Sequence, residues 1–522
     1  MSRRTQHLSS LVVLSACVVT LAGCEPPKWR EPPWPDADAD GDALIEDDLP
    51  TPPWDGGEDG SVAPPQCPNH VLECPPGFGC HNGACGGCAS ADECRALEGC
   101  VAGMCGACKQ ASDCKDGKSC LNGFCLRRPL VVWELSVPKT KWQEIHANPS
   151  QELYAPCSLK VGEKVYDDGC EVRIRGGISK KYAKLSYRIR FPEGIPNPGY
   201  TRKINLRSEY NDATYMRNFL ANWLFGQLTD VAAPRVRYRR LKVNGEDYGV
   251  YAEIERIGSS FRRKRGRDDN APLYEADPPS AIASKGAGAL LPLTPASVYE
   301  QAYQKHDGKQ EGYDDLITLI ETYLWSDHID GGSKRVRKTV DLPRYLDYLA
   351  VLGALLGKDH VRKNYYLSLQ PGADGKPLWE FFPWDLDMTF GCVWHEAKQL
   401  NLCDQLATGM EWDTGMIEAG MHTEYPLGSE DFFNVLIDVV LSDNDLRAQV
   451  QTRICEFTAS DVWKYKLPKL VDALEAQLAE ELATDTRDRN KSSKDFKAAV
   501  SALRTWITKR GDLLRFNLDC GW

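Results

Sequence analysis

Four side chains between Gly357 and Gly391 have the types and spacing for chemistry on phosphate. Asp359 and Asn364 stand in a D-x4-N arrangement, and Asp385 and Asp387 form a D-x-D pair. Phosphoryl transfer needs a carboxylate that orients the attacking hydroxyl and accepts its proton. It also needs oxygen ligands that hold a divalent metal on the phosphates. Hard carboxylate oxygens suit Mg²⁺ or Mn²⁺. The plainer reading of the same residues is structural. Asp and Asn favour turns, so Asp359 would cap one and Asp385 would pair with an arginine.

The surrounding pattern supplies elements that would bring these groups together. Leu342, Tyr345, Leu346, Leu349, Leu352 and Leu356 share one helical face, and that helix ends at Gly357. A polar loop, 358–364, follows. The run 365–369 reads as a strand, 371–375 as its turn and 378–382 as the partner strand, which delivers Asp385 and Asp387 opposite Asp359. Farther upstream, 130–135, 171–175, 187–191 and 248–254 read as strands. The last two alternate with period two, which predicts one polar face each. Helices are expected at 215–228, 432–441, 467–482 and 496–514. A sheet-rich half followed by a helix-rich half defines an α+β domain with two lobes.

Length and composition set the wider organisation. A chain of 522 residues exceeds one ordinary domain. Residues 1–23 read as an export leader: Arg3 and Arg4 precede an apolar stretch too short to span a bilayer. The leader ends in Leu21-Ala22-Gly23-Cys24, which looks like a lipobox with Cys24 as lipid acceptor. The expected location is therefore the cell envelope, anchored by lipid to the outer membrane on its periplasmic or surface face. Residues 24–66 are an acidic, Pro- and Asp-rich linker with no core-forming material. Within it, 36–47 opens like a calcium loop. Pro35 and Pro50 bracket it and Asp47 stands at position twelve, so Ca²⁺ is not expected there. Residues 67–127 repeat a four-Cys unit three times, and 128–522 form the large domain. Twenty cysteines in an exported chain point to disulfides rather than zinc. In the large domain the expected pairs are Cys157 with Cys170, Cys392 with Cys403, and Cys455 with Cys520. A net charge of −11 argues against a nucleic-acid partner. The single basic run, 261–267, is expected to be a solvated loop.

Several ordered blocks resemble the CotH family, named for spore coat protein H. They include Asn364-Tyr365-Tyr366-Leu367, Phe382-Pro383-Trp384-Asp385-Leu386-Asp387 and Phe390-Gly391. Upstream, Arg173-Ile174-Arg175-Gly176-Gly177-Ile178-Ser179 and Lys184-Leu185-Ser186-Tyr187-Arg188-Ile189-Arg190 resemble its R-G-x-S and K-x-S-Y-x-I segments. The resemblance runs from Leu130 to the C-terminus. It implies a divergent protein-kinase-like fold and ATP- and metal-dependent phosphorylation of Ser in other proteins, here exported or surface proteins rich in Ser. By position it makes Asp359 the catalytic base and Asp385 and Asp387 metal ligands with Asn364 assisting. It makes Arg175, Lys184 and Asn364 contacts for the nucleotide. Arg217 and Glu255 are expected to form a structural ion pair. One departure is Leu273-Tyr274-Glu275, which carries an acid where the family often has Lys. The rival expectation is a surface binding or adhesion protein with an idle pocket, in which the Cys-rich repeats make the contacts.

Overall fold

The computed structural model describes residues 79–520, apart from 403–433 and short stretches such as 326–331, 396–399 and 488–492. The leader, Cys24, the acidic linker with positions 36–47, and the first two cysteines of the repeat lie outside the described residues.

In the second and third repeat units the first Cys bonds to the third and the second to the fourth. The pairs are Cys88–Cys100, Cys94–Cys105, Cys108–Cys120 and Cys114–Cys125. Each unit closes on a small hairpin, Gly99–Val101 with Met104–Gly106 and Ser119–Leu121 with Phe124–Leu126. The turns hold Gly103 at φ +82° and Gly123 at φ +86°, where any other residue would be strained. The module is docked on the large domain. Phe124 meets Trp223 edge to face at 6.2 Å. Gln477 donates to the Arg127 carbonyl at 2.9 Å, and the Leu130 amide donates to Glu481 at 2.9 Å.

Nine strands form one curled sheet: β1 (Val132–Ser136), β2 (Ala155–Pro156), β3 (Ser158–Val161), β4 (Lys164–Tyr166), β5 (Glu171–Arg175), β6 (Ser186–Arg190), β7 (Lys203–Arg207), β8 (Val236–Val243) and β9 (Glu246–Ile254). Their order is β4-β3-β1-β8-β9-β7-β6-β5-β2, antiparallel except for the β1–β8 pair. Period-two alternation on β5, β6 and β7 sends Val172, Ile174, Tyr187, Ile189, Ile204 and Leu206 into one core with Trp133 and Leu159. Strand β9 departs from the expected half-polar pattern. From Tyr248 onward every residue is buried, because the strand is central and both its faces are covered.

Helix α1 (Arg217–Leu228) leads from this sheet to the second core. That core holds a four-stranded sheet: β10 (Leu273–Ala276), β11 (Tyr303–Asp307), β12 (Tyr365–Pro371) and β13 (Pro377–Pro383), in the order β11-β10-β12-β13. Around it stand α2 (Leu342–Leu355), α3 (Asn444–Ala459), α4 (Leu467–Ala483) and α5 (Ser493–Asn517). The expected helices and the β12–β13 hairpin therefore form close to the expected positions.

The basic run is not a solvated loop. Arg262 is fully buried and pairs with Asp307 at 2.9 Å, Arg265 with Glu255 at 2.8 Å and Arg267 with Glu380 at 2.8 Å. Carboxylates 10, 45 and 113 residues away collect these cations, and the spacing within the run does not show them.

Cys157–Cys170 and Cys455–Cys520 are bonded as expected. Cys392 is also disulfide-bonded, while Cys403 lies outside the described residues. Cys455–Cys520 spans 65 residues and ties the end of α5 to α3. Replacing both by Ser is expected to lower unfolding free energy by about 4 kcal/mol, the loop-closure term for that length. Chemical denaturation would read the loss, and an unchanged midpoint would refute it.

Candidate functional site

Asp359 lies in a single turn, Lys358–His360, directly after α2. The helix stops because Leu356 adopts a left-handed conformation at φ +56° and the Gly357 amide turns back to the Leu352 carbonyl at 2.9 Å. The terminal carbonyls do not go unpaired. Arg510 of α5 donates to Gly353 at 2.9 Å, and the Phe390 amide donates to Leu355 at 2.8 Å. Buried His360 places its ring nitrogens 2.8 Å from the Trp384 carbonyl and 3.3 Å from that of Gly357. The turn bearing Asp359 is thus fastened to the end of the hairpin that bears Asp385.

Asn364 sits at φ +62°, a region Asn tolerates better than most residues. Its amide donates to Ala276 and its carbonyl accepts from the Trp384 amide, so the backbone is fixed on both sides. The side chain is then free to donate to Asp359 Oδ2 at 2.6 Å, and Lys363 Nζ approaches the same oxygen at 3.2 Å. Both members of the D-x4-N pair therefore meet, and Asp359 is held from two sides.

The second pair of acids follows β13. Between them the Leu386 amide donates to Asn218 Oδ1 at 2.9 Å, which anchors the loop to the start of α1. Arg207, the last residue of β7, reaches both acids. One guanidinium nitrogen is tightly hydrogen-bonded to Asp385 Oδ1, and another lies 2.8 Å from Asp387 Oδ2. The expectation that Asp385 pairs with an arginine is met, and the pair includes Asp387.

The facing sheet is unusually basic. Opposite its apolar face, β5, β6 and β7 carry Arg173, Arg175, Arg188, Arg190, Lys203 and Arg207. The register sets Arg173 directly across from Arg188 and Arg190 across from Lys203. Like charges so placed destabilise a sheet unless anions compensate. Glu171 and Glu152 compensate at one end, and Asp385 with Asp387 at the other.

Burial pushes the Asp387 carboxyl above the usual range; Arg207 opposes that shift, while Asp359 and Asp212 add to it. The guanidinium of Arg175 is pushed down to about 9 by burial and by its neighbours Arg188 and Arg207. That guanidinium lies 5.8 Å from the Trp384 ring, beside the acid loop. Glu275, the departure noted above, stays ionised. Burial opposes its charge, but His306 at 2.5 Å, together with Tyr366 and Arg175, outweighs burial.

Lys184 is placed differently from the open, phosphate-facing position expected of it. Its side chain is sealed from solvent, with Nζ 2.6 Å from Asp485 and 2.8 Å from the Val250 carbonyl. Gly249, at φ +78°, makes room, since a Cβ there would lie 2.0 Å from the Asp485 carboxylate. Arg217 and Glu255 are likewise not partners. Arg217 binds Asp212 within its own helix-start loop, and Glu255 takes Arg235 and Arg265.

Sequence reasoning missed Arg207, Lys363 and Asn218. A signal for Arg207 existed: it closes the alternating run Lys203-Ile204-Asn205-Leu206-Arg207, which puts it on the polar face with Arg175 and Arg188. Asn218 gave none, because its role depends on a backbone amide 168 residues away.

Glu209 packs beneath this cluster with its carboxyl 3.2 Å from Asn218 Nδ2, and burial raises it from 4.5 to about 8. Between those values the folded protein holds a proton that the unfolded chain has lost. Stability should therefore fall as pH rises through that window. Glu209→Gln is expected to flatten the decline. Urea midpoints measured across the window would test it, and parallel pH profiles for the two proteins would refute it.

The fold and its site define a mixed α+β domain with a carboxylate turn facing a basic sheet. A sequence model of the family described as CotH kinase protein matches residues 172–514, and the chain belongs to that family. It is also 29% identical over 265 residues to inner spore coat protein H of Bacillus subtilis (strain 168), covering 50% of this chain and 69% of that relative.

Proposed function

We propose that this chain is an atypical, two-lobed kinase-like enzyme that transfers phosphate from ATP, with Mg²⁺ or Mn²⁺, to Ser of exported or surface proteins. The observation that carries the reading is the convergence of Asp359, Asn364, Asp385 and Asp387 opposite Arg175 and Arg207. Family membership supports the same class of reaction.

Each residue has a distinct part in this reading. Asp359, steadied by Asn364 and Lys363, orients the Ser hydroxyl and accepts its proton. Arg175 offsets negative charge on the phosphates. Asp385 and Asp387, with Asn364, would hold the metal, and the donor set fits one. The oxygens are hard, and burial, with Asp359 and Asp212 adding to it, has raised the proton affinity of Asp387, a penalty that a divalent cation would offset. When bound, the metal would neutralise phosphate charge. Export through the leader and anchoring by lipid on Cys24 are part of the proposal and rest on the sequence alone.

One observation favours the rival, an idle pocket on a surface recognition protein. Arg207 already pairs with both acids. Thermal-shift titrations with ATP, with Mn²⁺ or Mg²⁺, and with both, run beside phosphate transfer to a Ser-rich peptide, separate the two. The enzyme reading expects a cooperative shift with both ligands together, and transfer. Nucleotide binding without transfer supports the rival. Absence of nucleotide binding with every divalent metal overturns the enzyme reading.

A further inference from the structure

We propose that the basic face of β5, β6 and β7 is a subsite for acidic side chains of the protein substrate. It selects Ser with acids at the second and fourth positions of an extended segment. The proposal rests on the phosphate-transfer reading for where the Ser hydroxyl lies.

The first argument is which cations lack an acid. Glu171 holds Arg190, Glu152 holds Arg173 and Lys180, and Arg207 holds Asp385 and Asp387. Asp307 is taken by Arg262, and Asp359 by Lys363. Arg175, Arg188, Lys203 and Arg256 remain, and none of the four forms an ion pair with a carboxylate among the described residues. Arg188 Nε donates instead to Asn205 Oδ1 at 2.9 Å, and Arg256 lies 3.3 Å from His306 Nδ1. Two further acids, Glu275 and Asp277, act on Arg175. They leave the far members of the group, Arg188, Lys203 and Arg256, in excess. These charges press on one another. Burial, then Arg256, Arg202 and Arg188, push the Lys203 ammonium down to about 8. Burial lowers the Arg188 guanidinium too, and Arg173 and Arg256 add to the shift. All four side chains are only partly buried, so an incoming anion reaches them.

The second argument is spacing. Arg207 marks the acid pair at one end of β7, with Asn205 two residues before it and Lys203 four. The register sets Arg188 directly across from Asn205. Strand rise therefore puts Arg188 about 7 Å along the sheet from Arg207, and Lys203 about 13 Å. An extended polypeptide turns every second side chain to the same face, at the same intervals. A segment lying along β7 with its Ser at the acid end thus brings its second neighbour to Arg188 and its fourth to Lys203, with Arg256 beside both. The phosphates of a bound nucleotide belong at the near end of the row, with Arg175 and the acid pair. Its base and sugar are uncharged and give the far cations nothing to pair with.

Fluorescence anisotropy with the full chain tests this with three labelled peptides. The first has Ser with Glu at the second and fourth positions on both sides, and the second has Gln at those positions. The third has Glu at the first and third positions, which an extended chain turns to its other face. The first peptide is expected to bind about tenfold more tightly than either of the others, and added salt should shrink the gap. The double variant Arg188→Gln, Lys203→Gln should bind the first peptide no better than the Gln peptide, while its affinity for Mg²⁺–ATP stays at the wild-type value. The variant removes mutually repelling charges, so it should fold. Lys203→Gln alone should give a smaller loss, and it decides the matter if the double variant does not fold. The proposal is overturned if the three peptides bind alike, or if the variant keeps the wild-type preference. It is also overturned if the variant loses ATP affinity as steeply as peptide affinity, which would assign the row to the donor, or if a single-stranded oligonucleotide displaces the first peptide. The same peptides in a transfer assay separate this inference from the enzyme reading. A preference in binding with no transfer to any peptide supports the subsite and counts against the enzyme. Transfer to all three with equal KM overturns the subsite and leaves the enzyme standing.

Discussion

Asp359→Asn is expected to lower phosphate transfer at least about a hundredfold while leaving metal–nucleotide affinity within about twofold of wild type. The residue lies on the helix-terminal turn, and its carboxylate accepts from Asn364 and Lys363. An amide oxygen can still accept those bonds, so the turn should keep its shape. What disappears is the negative charge that takes the proton. Asp387→Ala should differ in kind, because it removes a ligand oxygen and should weaken metal–nucleotide binding itself. Single-turnover transfer beside equilibrium nucleotide binding separates the two effects. If Asp359→Asn transfers phosphate at the wild-type rate, Asp359 is not the base. If both variants lose binding equally, the two acids act as one structural unit and the division of roles is wrong.

Much of the scaffold was legible because it is written in local pattern. The β12–β13 hairpin is announced by strand-forming residues around Pro371-Gly372-Ala373-Asp374-Gly375. The end of α2 is announced by Gly357 after a regular apolar stripe. The neighbourhood of Asp359, Asn364, Asp385 and Asp387 followed from those two elements, since a hairpin returns the chain to where it began. The disulfides Cys157–Cys170 and Cys455–Cys520 followed from counting.

What the sequence hid are the long-range electrostatic choices. Residues 261–267 look like any solvated cationic loop, yet Arg262 becomes one of the largest fully buried side chains. Its partner Asp307 comes from β11, and the partners of Arg265 and Arg267 from the residue that follows β9 and from β13. Lys184 was expected to contact the nucleotide, and Asp485, 301 residues later, takes its ammonium instead. Ion-pair partners have no spacing rule, so such matches become visible only once the cores have set the distances.

Arg207→Ala should show what holds the acid pair when no metal is present. In the wild-type protein one guanidinium satisfies Asp385 and Asp387, whose side chains are 28% and 10% exposed. Removing it leaves two neighbouring carboxylates facing each other with no cation between them, while Lys363 stays on Asp359. A fully buried pair broken from one side typically loses 3–5 kcal/mol. Discounting for partial exposure gives an expected loss of about 2–3 kcal/mol for the metal-free protein. The carboxyl of Asp387 should rise further, because its largest opposing influence is Arg207. Divalent metal should reverse the deficit: an ion that binds the folded state stabilises it by mass action, and the variant has an unoccupied demand for charge that the wild type lacks. Mn²⁺ is therefore expected to raise the melting temperature of Arg207→Ala more than that of wild type, and to bind it more tightly in a calorimetric titration. Both signs matter. A variant as stable as wild type without metal would mean the guanidinium contributes nothing to the loop, and an equal Mn²⁺ response in the two proteins would mean that Asp385 and Asp387 are not where the metal goes.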